Sequence, residues 1–153
     1  DARAQGFEAA QDDYNAIMVK ALADRLAEAM AEMMHQRVRT DWWGYVAGEA
    51  LSNEQLIGEQ YQGIRPAPGY PACPDHSVKR AMFELLQASD IEMALTDSLA
   101  MTPAASVSGF YLAHPDAAYF NVGRVGDDQI SDLANRSGVA EATLRTLLGP
   151  NIS

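Results

Sequence analysis

Apolar side chains recur at spacings of three and four over residues 13–39. The members of this series are Tyr14, Ile17, Met18, Ala21, Leu22, Leu26, Met30, Met33 and Met34. Such a period is typical of a long amphipathic helix, and Asp12 or Asp13 is suited to cap its N-terminus. Residues 1–12 precede the series and are interpreted as a tail or linker.

Shorter helices are predicted where capping residues precede further apolar periodicity. Ser52 begins the first of them, because Gln55 completes a capping box with it. Asp127 or Asp128 is expected to cap a later one. The predicted ranges are about 52–63, 75–88, 127–135 and 141–148.

A period of two replaces the helical period after Asp90, which indicates β-strands. The predicted strands are 91–95, 99–101, 107–113 and 118–125, and the last two are expected to form a hairpin around the loop 114–117. Consecutive strands joined by short loops favour antiparallel pairing. The expected fold class is therefore α+β, with long helices packed on a small antiparallel sheet.

Residues 65–74, called the proline loop below, carry four prolines, which exclude a helix or a central strand. The loop is expected to be stiff and extended, with backbone groups free to face a ligand. Arg65 offers donors for a carboxylate or phosphate, Gly69 allows close approach to the backbone, and Tyr70 offers an aromatic ring. Two interpretations stay open: a clamp for an amino acid or nucleotide, and a stiff connector in which Arg65 makes an ordinary salt bridge.

Composition narrows the classes of function. A length of 153 residues suits one domain. The net charge of −10 disfavours binding to nucleic acid or to an anionic membrane, because both are themselves negatively charged. The single cysteine, Cys73, excludes an intramolecular disulfide and is interpreted as structural. No apolar run is long enough to cross a bilayer and no leader is evident, so a cytoplasmic location is expected.

Acidic side chains follow one face of the long predicted helix. Asp24, Glu28, Glu32 and His35 are separated by steps of four, four and three residues. They are either a solvated acidic face or carboxylates that face a cation or a partner. The Glu32–His35 spacing matches one half of a di-iron site, but the other half is missing, so no metal is expected. Glu59 is either a surface residue or an acceptor for the two hydroxyls of a ribose.

Four segments resemble the activation domain of cobalamin-dependent methionine synthase. They are ALADRLAEA at 21–29, YQGIRPAPGYPACPDH at 61–76, AASVSGFY at 104–111 and HPD at 114–116. The resemblance extends over residues 13–151, and the family's domain is longer than this chain. Residues 13–151 are therefore expected to form the C-terminal portion of an activation domain, with the fold of that family.

The resemblance implies that the chain binds S-adenosylmethionine. Arg65 is expected to hold the ligand's carboxylate. Ala67, through its backbone, and Tyr70 are expected to hold the adenine, with Gly69 in the same ligand-binding run. Glu59 is expected to contact the ribose.

The resemblance also places Glu28 near the sulfonium, Tyr119 at the closure of the pocket, and Asp24 on a surface that docks on the cobalamin-binding module. The ligand is expected to donate its methyl group to cobalamin that has received an electron from flavodoxin or a comparable reductase. Cobalamin and zinc belong to other modules of the full enzyme, so this chain is not expected to be catalytic alone.

A second hypothesis is a docking module for a cobalamin domain or flavodoxin that binds no ligand by itself. A freestanding methyltransferase is disfavoured, because the glycine-rich loop of the common class is absent. Arg65→Ala separates the first two hypotheses, since it is expected to abolish ligand binding but to leave docking intact.

Overall fold

The computed structural model describes residues 2–152 and is mainly helical. Its α-helices are α1 (Ala2–Ala9), α2 (Asp13–Arg37), α3 (Asn53–Ile57), α4 (Lys79–Leu85), α5 (Asp127–Ser137) and α6 (Glu141–Leu147). Strands β1 (Ala94–Leu95) and β2 (Met101–Thr102) pair antiparallel. Single turns of other helix types lie at Val38–Trp42, Ala88–Ile91 and Gly149–Asn151. The predicted α+β class, with a small antiparallel sheet, is confirmed.

The residues before α2 pack on it. α1 lies against α2, with Ala4 and Ala16 buried. Between the two helices, Lys20 Nζ donates a 2.6 Å bond to the Glu8 carboxylate. Alanine side chains let helices approach closely but add little to the apolar pattern, so this packing has no clear signal in the pattern of apolar residues. Within the segment interpreted as a tail or linker, residues 2–9 therefore form a helix that packs on α2.

The start of α2 agrees with the prediction. The Asp12 carboxylate caps the helix by accepting the Asn15 N–H at 3.1 Å. After Arg37 the backbone widens into a π-helical turn at Val38–Trp42. This turn directs the Arg39 side chain into the interior, where none of its surface is exposed. Such turns are rare and are frequently found at functional sites.

Much of the apolar series on α2 lies at the surface of this chain. Tyr14, Ile17, Met18, Leu22, Leu26, Met30 and Met33 are all exposed. The buried positions on α2 are instead Ala16 and His35. The apolar period therefore located the helix but not the face that packs on the rest of this chain.

The predicted strands 107–113 and 118–125 do not pair with each other, and that prediction is wrong. Leu112 and Ile64 exchange two backbone hydrogen bonds of 3.0 Å. The backbone N–H groups of Phe110 and Val122 donate to carbonyls of the proline loop, each at 2.9 Å. A proline residue has a carbonyl acceptor but no N–H donor, so the N–H groups of a neighbouring segment form hydrogen bonds to these carbonyls.

The C-terminal helices enclose a small apolar core. Its buried members are Val125, Ile130, Leu144 and Leu148. The residue that caps α5 is Gly126, whose N–H donates to the Gln129 side chain at 2.9 Å, and not Asp127 or Asp128 as predicted. Both carboxylates still lie in the first turn of α5, where they favour the positive end of the helix dipole.

Candidate functional site

The proline loop follows an irregular, extended path, as its sequence predicts. Some of its backbone groups are used internally, because its carbonyls accept bonds from residues 110–122 and the Gly69 N–H donates to Cys73 at 2.7 Å. Within residues 2–152, the Ala67 N–H has no hydrogen-bond partner. Gly69 has a φ of +97°, and the His76 imidazole occupies the space that a β-carbon would need. The loop therefore requires glycine at this position.

Arg65 connects the proline loop to α2. Its Nη2 donates to Glu32 Oε2 at 2.6 Å, and its Nη1 lies 3.4 Å from His35 Nδ1. The guanidinium carbon is 5.6 Å from the centre of the Tyr61 ring, within range of a cation–π interaction. The Arg65 backbone N–H donates to the Tyr119 hydroxyl at 3.0 Å. Arg65 is thus held from several sides while 25% of its side chain stays exposed.

His35 is fully buried in a cluster of aromatic rings. Its ring stacks on Tyr111 with centres 4.8 Å apart and meets the edge of Tyr61 at 4.9 Å. Burial, helped by the charges of Arg39 and Arg65, lowers the pKa of His35 to about 4. The ring is therefore neutral at pH 7, and Nδ1 accepts from Arg65 because a guanidinium can only donate.

A second ion pair lies beneath this cluster. Arg39 donates to both carboxylate oxygens of Glu49, at 2.6 and 2.7 Å, and the two side chains are 0% and 3% exposed. The Arg39 guanidinium carbon also lies 4.2 Å from the centre of the Tyr61 ring. Burial raises the pKa of the Tyr61 hydroxyl, which stays protonated. That hydroxyl is buried and has no hydrogen-bond partner within the described part of the chain.

A cleft of about 350 Å³ opens beside these groups. It is lined by Gly58, Glu59, Tyr61, Gly63, Ile64, Ala117, Ala118 and Tyr119. Glu59 reaches the cleft because α3 ends at Ile57, earlier than the predicted end near Gly63, and Glu59 then adopts a positive φ of 53°. Protein sites for small ligands have volumes of this order.

The structure brings some of the predicted site residues together and leaves others apart. Glu59 and Tyr119 line the cleft, and Arg65 borders it through its bond to the Tyr119 hydroxyl. Ala67 and Gly69 continue along the same loop. The Tyr70 ring is 67% exposed, so it lies open to solvent in this chain.

The predicted acidic residues of α2 separate along the helix. Glu28 lies one turn before Glu32, is exposed, and pairs with Arg25 at 3.0 Å. Asp24 lines a second cleft of about 410 Å³ between α1, α2 and residues 104–105. Glu32, by contrast, is directed inward to Arg65, so the acidic series does not form a single solvated face.

Sequence reasoning missed several members of the site. Tyr61 and Tyr111 enter the sequence argument only within strings that resemble the family. Arg39 is expected only to suit the C-terminal end of a helix dipole, and Glu49 is not singled out. Tyr61 opens the run that leads into the proline loop, and this was the one local signal for it. The Arg39–Glu49 pair depends on the π-helical turn, which no pattern in the sequence indicated.

Across residues 2–152, no cluster of three or more His, Cys, Asp or Glu side chains is arranged to hold a metal ion. In the same part of the chain, no helix combines the length and apolar character needed to cross a membrane.

The comparisons with known proteins agree with each other. The family described as "Vitamin B12 dependent methionine synthase, activation domain" matches residues 1–138. A solved structure described as "Crystal Structure of the MetH Reactivation Domain bound to AdoHcy" has a TM-score of 0.96 to this chain and is 56% identical in sequence. The similarity covers 99% of this chain and 47% of the other, so the chain spans about half the length of that match.

Proposed function

The chain belongs to the family of activation domains of vitamin B12-dependent methionine synthase, and from this premise we propose that it is the S-adenosylmethionine-binding reactivation module of such an enzyme. The observation that carries the proposal is Arg65, which Glu32 and His35 hold beside the cleft while 25% of its side chain stays exposed. A chain 56% identical in sequence is described as bound to AdoHcy, which is S-adenosylmethionine without its transferable methyl group.

The amino-acid end of the ligand fits the proline loop. A carboxylate accepts two parallel N–H bonds from a guanidinium, and Arg65 has N–H groups that Glu32 and His35 do not use. The Ala67 N–H, two residues along, has no partner within residues 2–152 and is a further donor for the ligand. Gly69 belongs to the same ligand-binding run, and its missing side chain leaves room for the His76 ring that packs against the loop.

The remaining parts of the ligand fit the cleft and its borders. Glu59 supplies a carboxylate that accepts from the two ribose hydroxyls. Tyr119 bounds the cleft and closes it over the ligand, while the exposed Tyr70 ring offers a face for the adenine. Glu28 lies on α2 one turn before Glu32, which holds Arg65. We propose that its carboxylate lies near the cationic sulfonium of the ligand.

The module's role is to present a methyl donor rather than to catalyse a step by itself. When bound, S-adenosylmethionine supplies the methyl group for remethylation of the enzyme's cobalamin. The residues of this chain bind the ligand, orient it and exclude water from it, which lowers the entropic part of the barrier. The chemistry belongs to the corrinoid carried by another module.

The partners and the location follow from that role. We assign Asp24 to a surface that docks on the cobalamin-binding module, with flavodoxin or an equivalent reductase supplying the electron. The acidic Asp24 is exposed and lies outside the ligand cleft. The enzyme acts in methionine biosynthesis, and the cytoplasm is its proposed location.

A second candidate is a docking module that binds no ligand alone. The internal bond between Arg65 and Glu32, at 2.6 Å, already satisfies part of the guanidinium. The chain also spans only 47% of its match, so the pocket would be completed by the rest of a longer domain.

Calorimetric titration of the 153-residue chain with S-adenosylmethionine tests the proposal. Saturable binding is expected for the wild type, with a loss of about 100-fold in Arg65→Ala, because a charged hydrogen-bonded pair is removed. Arg136→Ala is the matched control, since Arg136 pairs with Asp132 on α5 and lies outside the site. Absence of binding by the wild type would refute the proposal for this chain and favour the docking module.

A further inference from the structure

Glu32 is the residue that most directly controls Arg65. Its Oε2 accepts a 2.6 Å bond from Arg65 Nη2, and the two side chains are 26% and 25% exposed. This pair joins α2 to the proline loop, two elements that are far apart in the sequence. From this geometry we propose that Glu32 is a positioning residue, which orients the Arg65 guanidinium for a carboxylate ligand. The inference rests on the proposed function.

The bond to Glu32 leaves donors on Arg65 for a ligand. A guanidinium carries five N–H groups in a rigid plane. Glu32 takes one of them and His35 Nδ1 faces another, at 3.4 Å. Two partners on α2, Glu32 and His35, therefore fix the plane of the guanidinium. The remaining N–H groups of Arg65 bond to neither of these partners.

His35 is the second partner that holds the Arg65 guanidinium in this orientation. Its ring is fully buried and stacked on Tyr111 at 4.8 Å, so it cannot turn to follow Arg65. With Nδ1 accepting from Arg65, the ring proton lies on Nε2, which faces the Tyr45 hydroxyl at 3.5 Å. A rigid neutral acceptor on one side and a carboxylate on the other restrict the guanidinium to one plane. Restriction of a flexible side chain before binding lowers the entropic cost of binding.

Glu32 also determines which anions the site accepts. Its charge cancels that of Arg65, and the neighbouring Arg39 is cancelled by Glu49. The site therefore offers oriented N–H donors without a net positive charge. This combination suits the single carboxylate of a zwitterionic amino acid, whereas a phosphate dianion would place two negative charges beside Glu32.

The opposite role, in which Glu32 competes with the ligand for Arg65, predicts a change of opposite sign. If Glu32 orients Arg65, its removal weakens carboxylate binding. If Glu32 competes, its removal strengthens binding. Glu32→Gln keeps the size of the side chain while it removes the charge and replaces one acceptor oxygen by an NH2 group, so it distinguishes the two roles without opening a cavity.

The test compares two ligands that differ by one group. S-adenosylmethionine and decarboxylated S-adenosylmethionine are titrated calorimetrically into the 153-residue wild type, Glu32→Gln, Arg65→Ala and the double variant. Glu32→Gln is expected to weaken S-adenosylmethionine by about tenfold and the decarboxylated ligand by less than about threefold. In the Arg65→Ala background the same substitution is expected to have no further effect, because Glu32 acts through Arg65.

Each other outcome has a definite meaning. Unchanged or tighter binding of S-adenosylmethionine by Glu32→Gln, with binding still lost in Arg65→Ala, overturns the positioning role and leaves the proposed function standing. Equal losses for both ligands also overturn it, since Glu32 would then act on the whole cleft. Absence of binding by the wild type removes the proposed function and this inference together. Asp132→Asn, which breaks an exposed Arg–Asp pair on α5, is the control and is expected to match the wild type.

Discussion

Buried, neutral His35 makes the stability of the folded chain depend on pH between 6.5 and about 4, a window that begins above the usual pKa values of carboxylates. Its ring has no exposed surface and lies among Tyr61, Tyr111 and two arginines. Burial, together with the charges of Arg39 and Arg65, lowers the pKa from 6.5 to about 4. Protonation of His35 in the folded state would place a third cation beside these arginines.

The size of the effect follows from linkage. Between pH 6.5 and about 4, the unfolded chain binds a proton at this histidine and the folded chain does not, so stability falls as the pH falls. For a folded pKa of about 4, the loss between pH 8 and pH 5 is about 2 kcal/mol. Below about pH 4 both states are protonated, and the loss from this group reaches a limit of roughly 3 kcal/mol.

Urea unfolding at several values of pH between 8 and 5 measures this loss. His35→Gln is expected to lower stability at pH 8, because ring packing is lost, and to remove about 2 kcal/mol of the pH dependence. His114→Gln is the control, because the His114 side chain is 72% exposed. If wild type and His35→Gln lose the same free energy between pH 8 and pH 5, then His35 is not held neutral by its surroundings and the reasoning fails.

Two further predictions concern the framework of the site. Glu49→Ala is expected to lower the free energy of unfolding in urea by about 3–5 kcal/mol, because it leaves Arg39 charged and fully buried. Asp41→Ala, at an exposed ion pair, is expected to lower it by less than about 1 kcal/mol. Similar losses for the two variants would contradict the burial of the Arg39–Glu49 pair. Gly69→Ala is expected to cost about 1–2 kcal/mol or more, because a β-carbon at positive φ meets the His76 ring, and an unchanged unfolding midpoint would show that the loop accommodates it.

The caps of α2 and α3 were predictable because they need only neighbouring residues, although the same reasoning placed the cap of α5 one or two residues too late. Asp12 caps α2, and Ser52 and Gln55 exchange the two bonds of a capping box at 3.3 and 2.8 Å. The irregular path of the proline loop was equally predictable, since proline has no N–H for a helix or sheet. In each case one or two side chains decide the local backbone, whatever the rest of the chain does.

Pairing between distant segments was not predictable from the same information. Residues 107–125 have the alternation of a hairpin, yet their N–H groups pair with Ile64 and with carbonyls of the proline loop. The local pattern is the same for both arrangements, and the choice depends on unpaired acceptors elsewhere. The inward position of Arg39 likewise depends on a π-helical turn, and its charge is paired there with Glu49, ten residues later in the chain.

The candidate ligand site was identified in part because resemblance and residue chemistry agreed at Arg65. The residues that hold Arg65 in place were harder to find. Glu32 and His35 suggested one half of a metal site by their spacing, and the structure gives them a different use. Their side chains point to one guanidinium from successive turns of α2. Spacing on a helix shows which side chains share a face, but not what that face meets.

The charge of the chain and the charge of the site favour the same ligand for different reasons. A net charge of −10 attracts a ligand whose ammonium and sulfonium outweigh its carboxylate, and this attraction acts at long range. The same charge would repel an isolated carboxylate, so the carboxylate must be bound by direct, oriented donors at short range. In the proposed function Arg65 provides them, and its pairing with Glu32 leaves the site without a net positive charge that would attract unrelated anions. Raised salt is therefore expected to weaken the long-range part of binding more than the part that depends on Arg65.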